Sequence, residues 1–181
     1  ETGTALSAFY VTNCTIIADN GAGVSGTRRL INSTVQNTGG IGVSLNGEMI
    51  GGSVNTTNDV SIAAASNEVL GVTIYNKEYL GPGITITNGE ISNCAIIDDY
   101  AANGQNSIQI NTGATSPTIT NCSFDFYNNT QLNTAITAVD DDTPVFFANN
   151  TFKNCTPTNP TKVTQAMLNT PDAQGNITIN N

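Results

Sequence analysis

Apolar side chains along this chain do not recur at helical spacing; they flank a short phrase that appears eight times. The phrase runs Asn13-Cys14-Thr15-Ile16, Asn32-Ser33-Thr34-Val35, Gly51-Gly52-Ser53-Val54, Gly71-Val72-Thr73-Ile74, Asn93-Cys94-Ala95-Ile96, Asn121-Cys122-Ser123-Phe124, Asn149-Asn150-Thr151-Phe152 and Asn176-Ile177-Thr178-Ile179. Its final positions are 19, 19, 20, 22, 28, 28 and 27 residues apart. Two positions before the opening residue stand Val11, Leu30, Met49, Val69, Ile91, Ile119 and Phe147, and only Gln174 breaks that rule. The opening position admits only Asn and Gly, the residues that most readily take positive φ, so it predicts a left-handed corner between two strands. Parity agrees. With a bend at the corner, the aliphatic residues on both sides point inward and the third-position Thr or Ser points out.

A further strand precedes many of the phrases, read at Val43-Ser44-Leu45, Val60-Ser61-Ile62, Ile84-Thr85-Ile86, Ile108-Gln109-Ile110, Ala135-Ile136 and Ala166-Met167-Leu168. No period holds the ten or more residues of helical periodicity that alternating strands and helices need. The repeat therefore predicts coils that stack equivalent strands in parallel and bury one inward face along a common axis. These residues resemble the right-handed parallel β-helix of pectin lyases, phage tailspikes and many bacterial adhesin passengers. The fold class this implies is all-β, a right-handed parallel β-helix (solenoid) of about eight coils, one domain over 1–181. A narrower resemblance is to the polymorphic outer-membrane proteins of chlamydiae and similar repeat adhesins, with their Gly-Gly-Ala-aliphatic and Phe-x-x-Asn phrases. Gly51-Gly52-Ser53-Val54 is near the first, with Ser53 in place of Ala, and Phe126-Tyr127-Asn128-Asn129 and Phe147-Ala148-Asn149-Asn150 satisfy the second. It implies an adhesin-like function.

Composition narrows the chemistry. There is no His, which excludes every mechanism resting on an imidazole base or a His metal ligand. Five Lys and Arg stand against fourteen Asp and Glu, for a net charge of −9, so no nucleic-acid partner is expected. No run approaches the roughly 18–20 apolar residues of a membrane span, and no membrane insertion is expected. Glu1-Thr2-Gly3 resembles the scar that a secretion vector leaves; the chain then reads as a fragment of a longer secreted protein. A solenoid's end coils expose apolar faces and open strand edges, which makes a homo-oligomer through coil ends or sides a further expectation.

Four cysteines are too few for a disulfide scaffold. Cys14, Cys94 and Cys122 hold the second phrase position and are expected to fill the core as small apolar side chains. Cys94 and Cys122 fall on neighbouring coils, about 4.8 Å apart; a disulfide is conceivable there, but their parallel side chains favour two free thiols. Cys155 lies in a loop without an obvious partner. No metal or cofactor is expected.

Three groups of residues carry candidate chemistry. Arg29, Glu48, Glu68 and Glu90 each stand three positions before a corner and should form one outward column. Neighbouring and alternate carboxylates would lie about 5 and 10 Å apart, which brackets the spacings of glycosidase pairs; a solvated edge with a weak Arg29–Glu48 pair is the favoured reading. The longer coils gain residues mainly after the phrase, and stacked insertions make a rim offering Tyr79, Tyr100 and Tyr127 beside Asp98, Asp99 and Asp125. Aromatic platforms beside carboxylates suit neutral sugars or a protein partner. Eight Asn residues open N-x-Ser/Thr sequons. Those at corners (Asn13, Asn32, Asn121, Asn149 and Asn176) are expected to stack their amides inside the coil, which leaves Asn55, Asn128 and Asn154 as glycosylation candidates.

Asp98-Asp99 is similar to the paired aspartates of polygalacturonases, but their Gly-His-Gly and Arg-Ile-Lys phrases are absent. Arg28 and Arg29 are not grouped with carboxylates as in the calcium-dependent pectate lyases. Asp140-Asp141-Asp142 reads as an exposed turn. The chain is expected to be a structural, adhesive domain at an extracellular, cell or virion surface, presenting its rim to a glycan or host-surface protein. The alternative is a tailspike-like module that binds or cleaves polysaccharide, with Asp98, Asp99, Glu48 and Glu68 as its candidate carboxylates. Catalysis is the less favoured reading.

Overall fold

A computed structural model describes residues 3–19, 21–57, 62–65, 67–76, 82–98, 106–111, 113–125, 134–138, 145–153 and 177–180. The chain opens with β1 (Tyr10–Thr12) and β2 (Thr15–Ala18), and the next two turns run as the long bent strands β3 (Val24–Asn37) and β4 (Val43–Thr56). Later turns divide into three strands each: β5 (Ile62–Ala65), β6 (Glu68–Leu70) and β7 (Thr73–Asn76), then β8 (Ile84–Ile86), β9 (Glu90–Ser92) and β10 (Ala95–Asp98). The series continues with β11 (Asn106–Ile110), β12 (Thr118–Thr120), β13 (Ser123–Asp125), β14 (Thr134–Ala138), β15 (Val145–Ala148), β16 (Thr151–Lys153) and β17 (Ile177–Asn180). Among the described residues there is no helix. The fold is an all-β parallel solenoid with three faces.

Its register follows from the repeat. On the third face, Ile16 pairs with Val35, Val35 with Val54, Val54 with Ile74, Ile74 with Ile96, Ile96 with Phe124 and Phe124 with Phe152. On the second, the column runs Val11, Leu30, Met49, Val69, Ile91 and Ile119 to Phe147. On the first, it runs Val24, Val43, Ile62, Ile84 and Ile108 to Ile136. From Val11 to Phe124 the column residues of the second and third faces, and those of the first face from Val24 to Ile108, are all buried and form one continuous core. Stacking identical positions about 4.8 Å apart lets β-branched side chains pack row upon row, which is why the columns hold mainly Val and Ile.

Every described corner is left-handed: φ is 53° at Asn13, 46° at Asn32, 62° at Gly51, 65° at Gly71, 54° at Asn93, 54° at Asn121 and 55° at Asn149. The backbone ladder runs through the bend. The corner N–H of Asn13, Asn93 and Asn121 donates to Ile31, Thr120 and Ala148 one turn on. The second-position N–H leaves the ladder and finds a side chain instead: Cys14 N donates to Ser33 Oγ (3.2 Å) and Cys122 N to Asn150 Oδ1 (2.8 Å). That requirement explains why small polar or sulfur-bearing residues recur at this position.

Four expectations need correction. Fewer turns than the eight coils expected are described along all three faces, beginning at β3, with β1 and β2 extending the stack before them. The eighth phrase is out of step: Ile179 pairs with Phe147, not Phe152, and Ile177 with Val145. Its sequence departs from the others, since Gln174 stands where the other seven phrases have an apolar residue. Cys14, expected in the core, is exposed, whereas Cys94 and Cys122 are buried; of the strand read at Val60-Ser61-Ile62, Ile62 opens β5 and pairs with Val43, and Val60 and Ser61 lie outside the described residues. Corner asparagines do not stack inside the coil: Asn13, Asn32, Asn121 and Asn149 are exposed, because the left-handed corner turns its own side chain outward. The amides that tie turns together belong to other bends. Asn37 Nδ2 donates to Gly21 O (2.8 Å), Gly40 O (3.0 Å) and Ile41 O (2.8 Å), and Asn88 Oδ1 accepts from Thr115 N (2.7 Å).

Candidate functional site

The second face carries the outward column that the spacing predicts. Arg29 pairs with Glu48, Glu48 with Glu68 and Glu68 with Glu90; Tyr10 precedes Arg29, and Thr118 and Phe146 follow Glu90. The first four of these positions border an open groove of about 560 Å³ whose walls are Tyr10, Arg28, Arg29, Gly47, Glu48, Asn67 and Glu68.

Local irregularity builds this groove. The pairing of β3 with β4 slips between Ser25 and Arg29, and the N–H groups of both Arg28 and Arg29 donate to Phe9 O, at 3.1 and 3.2 Å. The slip turns Arg28 outward, where its guanidinium lies 5.4 Å from the centre of the Phe9 ring. Phe9 meets Tyr10 edge to face at 5.1 Å, and both rings are largely solvent-exposed, at 57% and 61%. Gly47 forms the floor; a Cβ there would lie 1.9 Å from Arg28 O, so no other residue lets the two turns approach so closely. Asn67 is fastened below it, donating to Leu45 O at 2.9 Å and to Ala64 O.

Charge is graded along the groove. Arg29 Nε binds Glu48 Oε1, with the two side chains 44% and 27% exposed, a pair worth about 0–1 kcal/mol in this setting. Glu68 is exposed, Glu90 is half-buried, and the two are adjacent in register. The aromatic and guanidinium groups thus gather at one end and uncompensated carboxylates at the other. A glycosidase acid must be held protonated in a water-poor pocket opposite a second carboxylate. Here Glu48 is engaged by a guanidinium and Glu68 stands in an open groove, an arrangement suited to binding through hydrogen bonds and ring stacking.

Of the residues expected at the rim, Tyr79, Asp99, Tyr100 and Tyr127 lie outside the described residues, as do Asn128 and Asn154. Asp98 closes β10 and Asp125, half-buried, closes β13. These strand ends are in step, Asp98 with Asn76 and Ile97 with Asp125, so the segments that follow β10 and β13 leave from the same edge of the third face. Asn55 is half-buried, and its Oδ1 is buried without a partner. Tyr10 was within reach of sequence reasoning, since it stands three positions before the corner Asn13, as Arg29 and Glu48 do before theirs. Arg28, Gly47 and Asn67 were not, because a slip in register and a second bend bring them to the column.

No family model, curated protein or solved structure matches the chain. The class is therefore defined by the fold itself, a parallel β-solenoid.

Proposed function

We propose that this chain is a structural, adhesive domain of the right-handed, pectin-lyase-like β-helix type, carried on a secreted or surface-exposed protein, and that its groove on the second face binds a glycan or a glycosylated surface receptor. One observation carries the reading: an exposed tyrosine, two guanidinium groups, an anchored amide and two carboxylates converge on one groove of an otherwise regular solenoid, with Phe9 packed against Tyr10 and Arg28 beside it. Exposed tyrosine offers a face for a sugar ring, and fixed carboxylates and amides select its hydroxyl pattern. A rigid stack holds these groups in place, so little ordering entropy is lost on binding.

The second reading places the contact on the rim, with Tyr79, Tyr100 and Tyr127 beside Asp98, Asp99 and Asp125. It is favoured by the common edge from which the segments after β10 and β13 depart. A tailspike-like polysaccharide module is the alternative class, and it shares the glycan ligand. The test is a glycan-array and cell-binding screen of the wild type, Tyr10→Ala and Arg28→Ala. The proposal expects a glycan or cell-surface ligand that both substitutions weaken while the thermal midpoint stays within about 2 °C, since these side chains are exposed. Binding that survives both substitutions would move the site to the rim. No binding to any glycan or cell would remove the adhesive reading.

A further inference from the structure

Two buried thiols stand outside the functional reading. Cys94 and Cys122 occupy the second phrase position on successive turns, bracketed by the paired residues Ser92–Thr120 and Ala95–Ser123, and each is 2% exposed. Both are free thiols. Their side chains take the same orientation. Cys94 Sγ lies 3.3 Å from Ser92 O and 3.4 Å from Val69 O; Cys122 Sγ lies 3.3 Å from Thr120 O and 3.7 Å from Ile91 O. These acceptors are equivalent atoms one turn apart, so the vector between the sulfurs equals the stacking translation, about 4.8 Å.

That separation discriminates between two chemistries. A disulfide needs sulfurs about 2.05 Å apart and Cβ atoms about 3.5–4.5 Å apart, and parallel side chains on neighbouring rungs provide neither without rotation and tilting. A single ion placed between the sulfurs would have two metal–sulfur bonds of about 2.4 Å, close to the ordinary length of about 2.3 Å for a thiolate bond. Linear two-coordination by sulfur belongs to soft monovalent d10 ions. Among the described residues no group of three or more His, Cys, Asp or Glu could hold a metal, so nothing competes to make the site tetrahedral.

The second-position N–H of Cys14 and that of Cys122 meet the side chain of the next turn, and Cys94 holds the same place in the repeat with Cys122 one turn on. We propose that Cys94 and Cys122 form a buried two-coordinate site for a soft monovalent cation, copper(I) or silver(I), tying successive turns of the solenoid together. Binding releases both thiol protons and leaves a bis-thiolate complex with one negative charge.

The test uses the full chain with Cys14→Ser and Cys155→Ser, which leaves only this pair; Ser already occupies the Cys14 position one turn on, at Ser33. Anaerobic titration with copper(I) buffered by bicinchoninate should give one ion per chain, two sulfur scatterers in X-ray absorption and a raised thermal midpoint. Adding either Cys94→Ser or Cys122→Ser, each shape-conserving, should abolish the stoichiometric binding. Silver(I) with intact-mass detection gives an independent readout that needs no redox control. The proposal fails if the Cys14, Cys155 variant binds no ion, if binding persists without Cys94, or if three or more scatterers surround the ion. It also fails if exposure to glutathione disulfide converts the pair to a disulfide, with a mass loss of two hydrogens, as readily as it does unstructured thiols, because the sulfurs would then approach far more closely than the stack allows.

Discussion

Gly71 separates the two causes that make a glycine necessary, and its substitutions have calculable costs. It sits at a corner with φ of 65°, yet a Cβ built there meets no atom within 4 Å. Space is therefore available, and only the backbone conformation penalises a side chain. Gly71→Ala should cost about 1–2 kcal/mol, the left-handed penalty for an L residue, and Gly71→Val more, because a β-branched side chain crowds that region. Gly71→Asn should change stability by less than about 0.5 kcal/mol: Asn tolerates this conformation, occupies the same corner at Asn13, Asn32, Asn93, Asn121 and Asn149, and freezes a smaller unfolded ensemble than Gly. Gly52 is the contrasting case. Its φ is 86° and a Cβ would lie 2.1 Å from Ser33 O and 2.6 Å from Ser33 N, so Gly52→Ala must push two turns apart and should cost about 3 kcal/mol or more. Urea unfolding followed by far-UV circular dichroism reads all four variants. Their midpoints should fall in the order Gly71→Asn, Gly71→Ala, Gly71→Val and Gly52→Ala, from highest to lowest. If Gly71→Ala and Gly71→Asn unfold at the same urea concentration, the corner is not left-handed in solution and the reasoning fails.

Ile96→Ala removes a fully buried side chain stacked between Ile74 and Phe124; rigid turns on both sides keep the cavity open, and a loss of about 3–5 kcal/mol in the same assay is expected. Glu68→Lys places a cation between Glu48 and Glu90 in register; it should leave stability within about 1 kcal/mol while abolishing ligand capture on the array, and retained capture would count against the groove. Exposed Asn13 and Asn32 head sequons on neighbouring turns, so expression through a eukaryotic secretory pathway should give peptide-N-glycosidase-sensitive mass at one of the two, since chains about 4.8 Å apart exclude each other; an unmodified pair would refute the exposure.

The inward columns were legible because parity and spacing recur over every turn: Ile74 and Ile96 announce themselves by standing three positions after an Asn or Gly. The shift of the eighth phrase was not legible: Gln174 broke the apolar rule, yet Ile179 was expected in the column of Phe152 and pairs instead with Phe147. The direction of the corner side chain was not legible. A left-handed residue reverses the alternation of a strand, and the exposure of Asn121 depends on that reversal and not on its identity. The roles of Cys94 and Ser33 were likewise hidden, since which N–H leaves the ladder is decided by the bend. The column of Arg29, Glu48 and Glu68 could be read from spacing, but the groove beside it could not, because the slip at Ser25–Arg29 and the close approach of Gly47 to Arg28 arise from contacts between turns.

Hydrogen–deuterium exchange with and without the ligand captured on the array tests the central claim most directly, because it reports each turn separately. Slowed exchange is expected in Tyr10–Thr12, in 28–31, in 47–50 and in Glu68–Leu70, which are the segments that wall the groove. Protection confined to the segments that follow β10 and β13, with those four unchanged, would contradict it and place the contact on the rim.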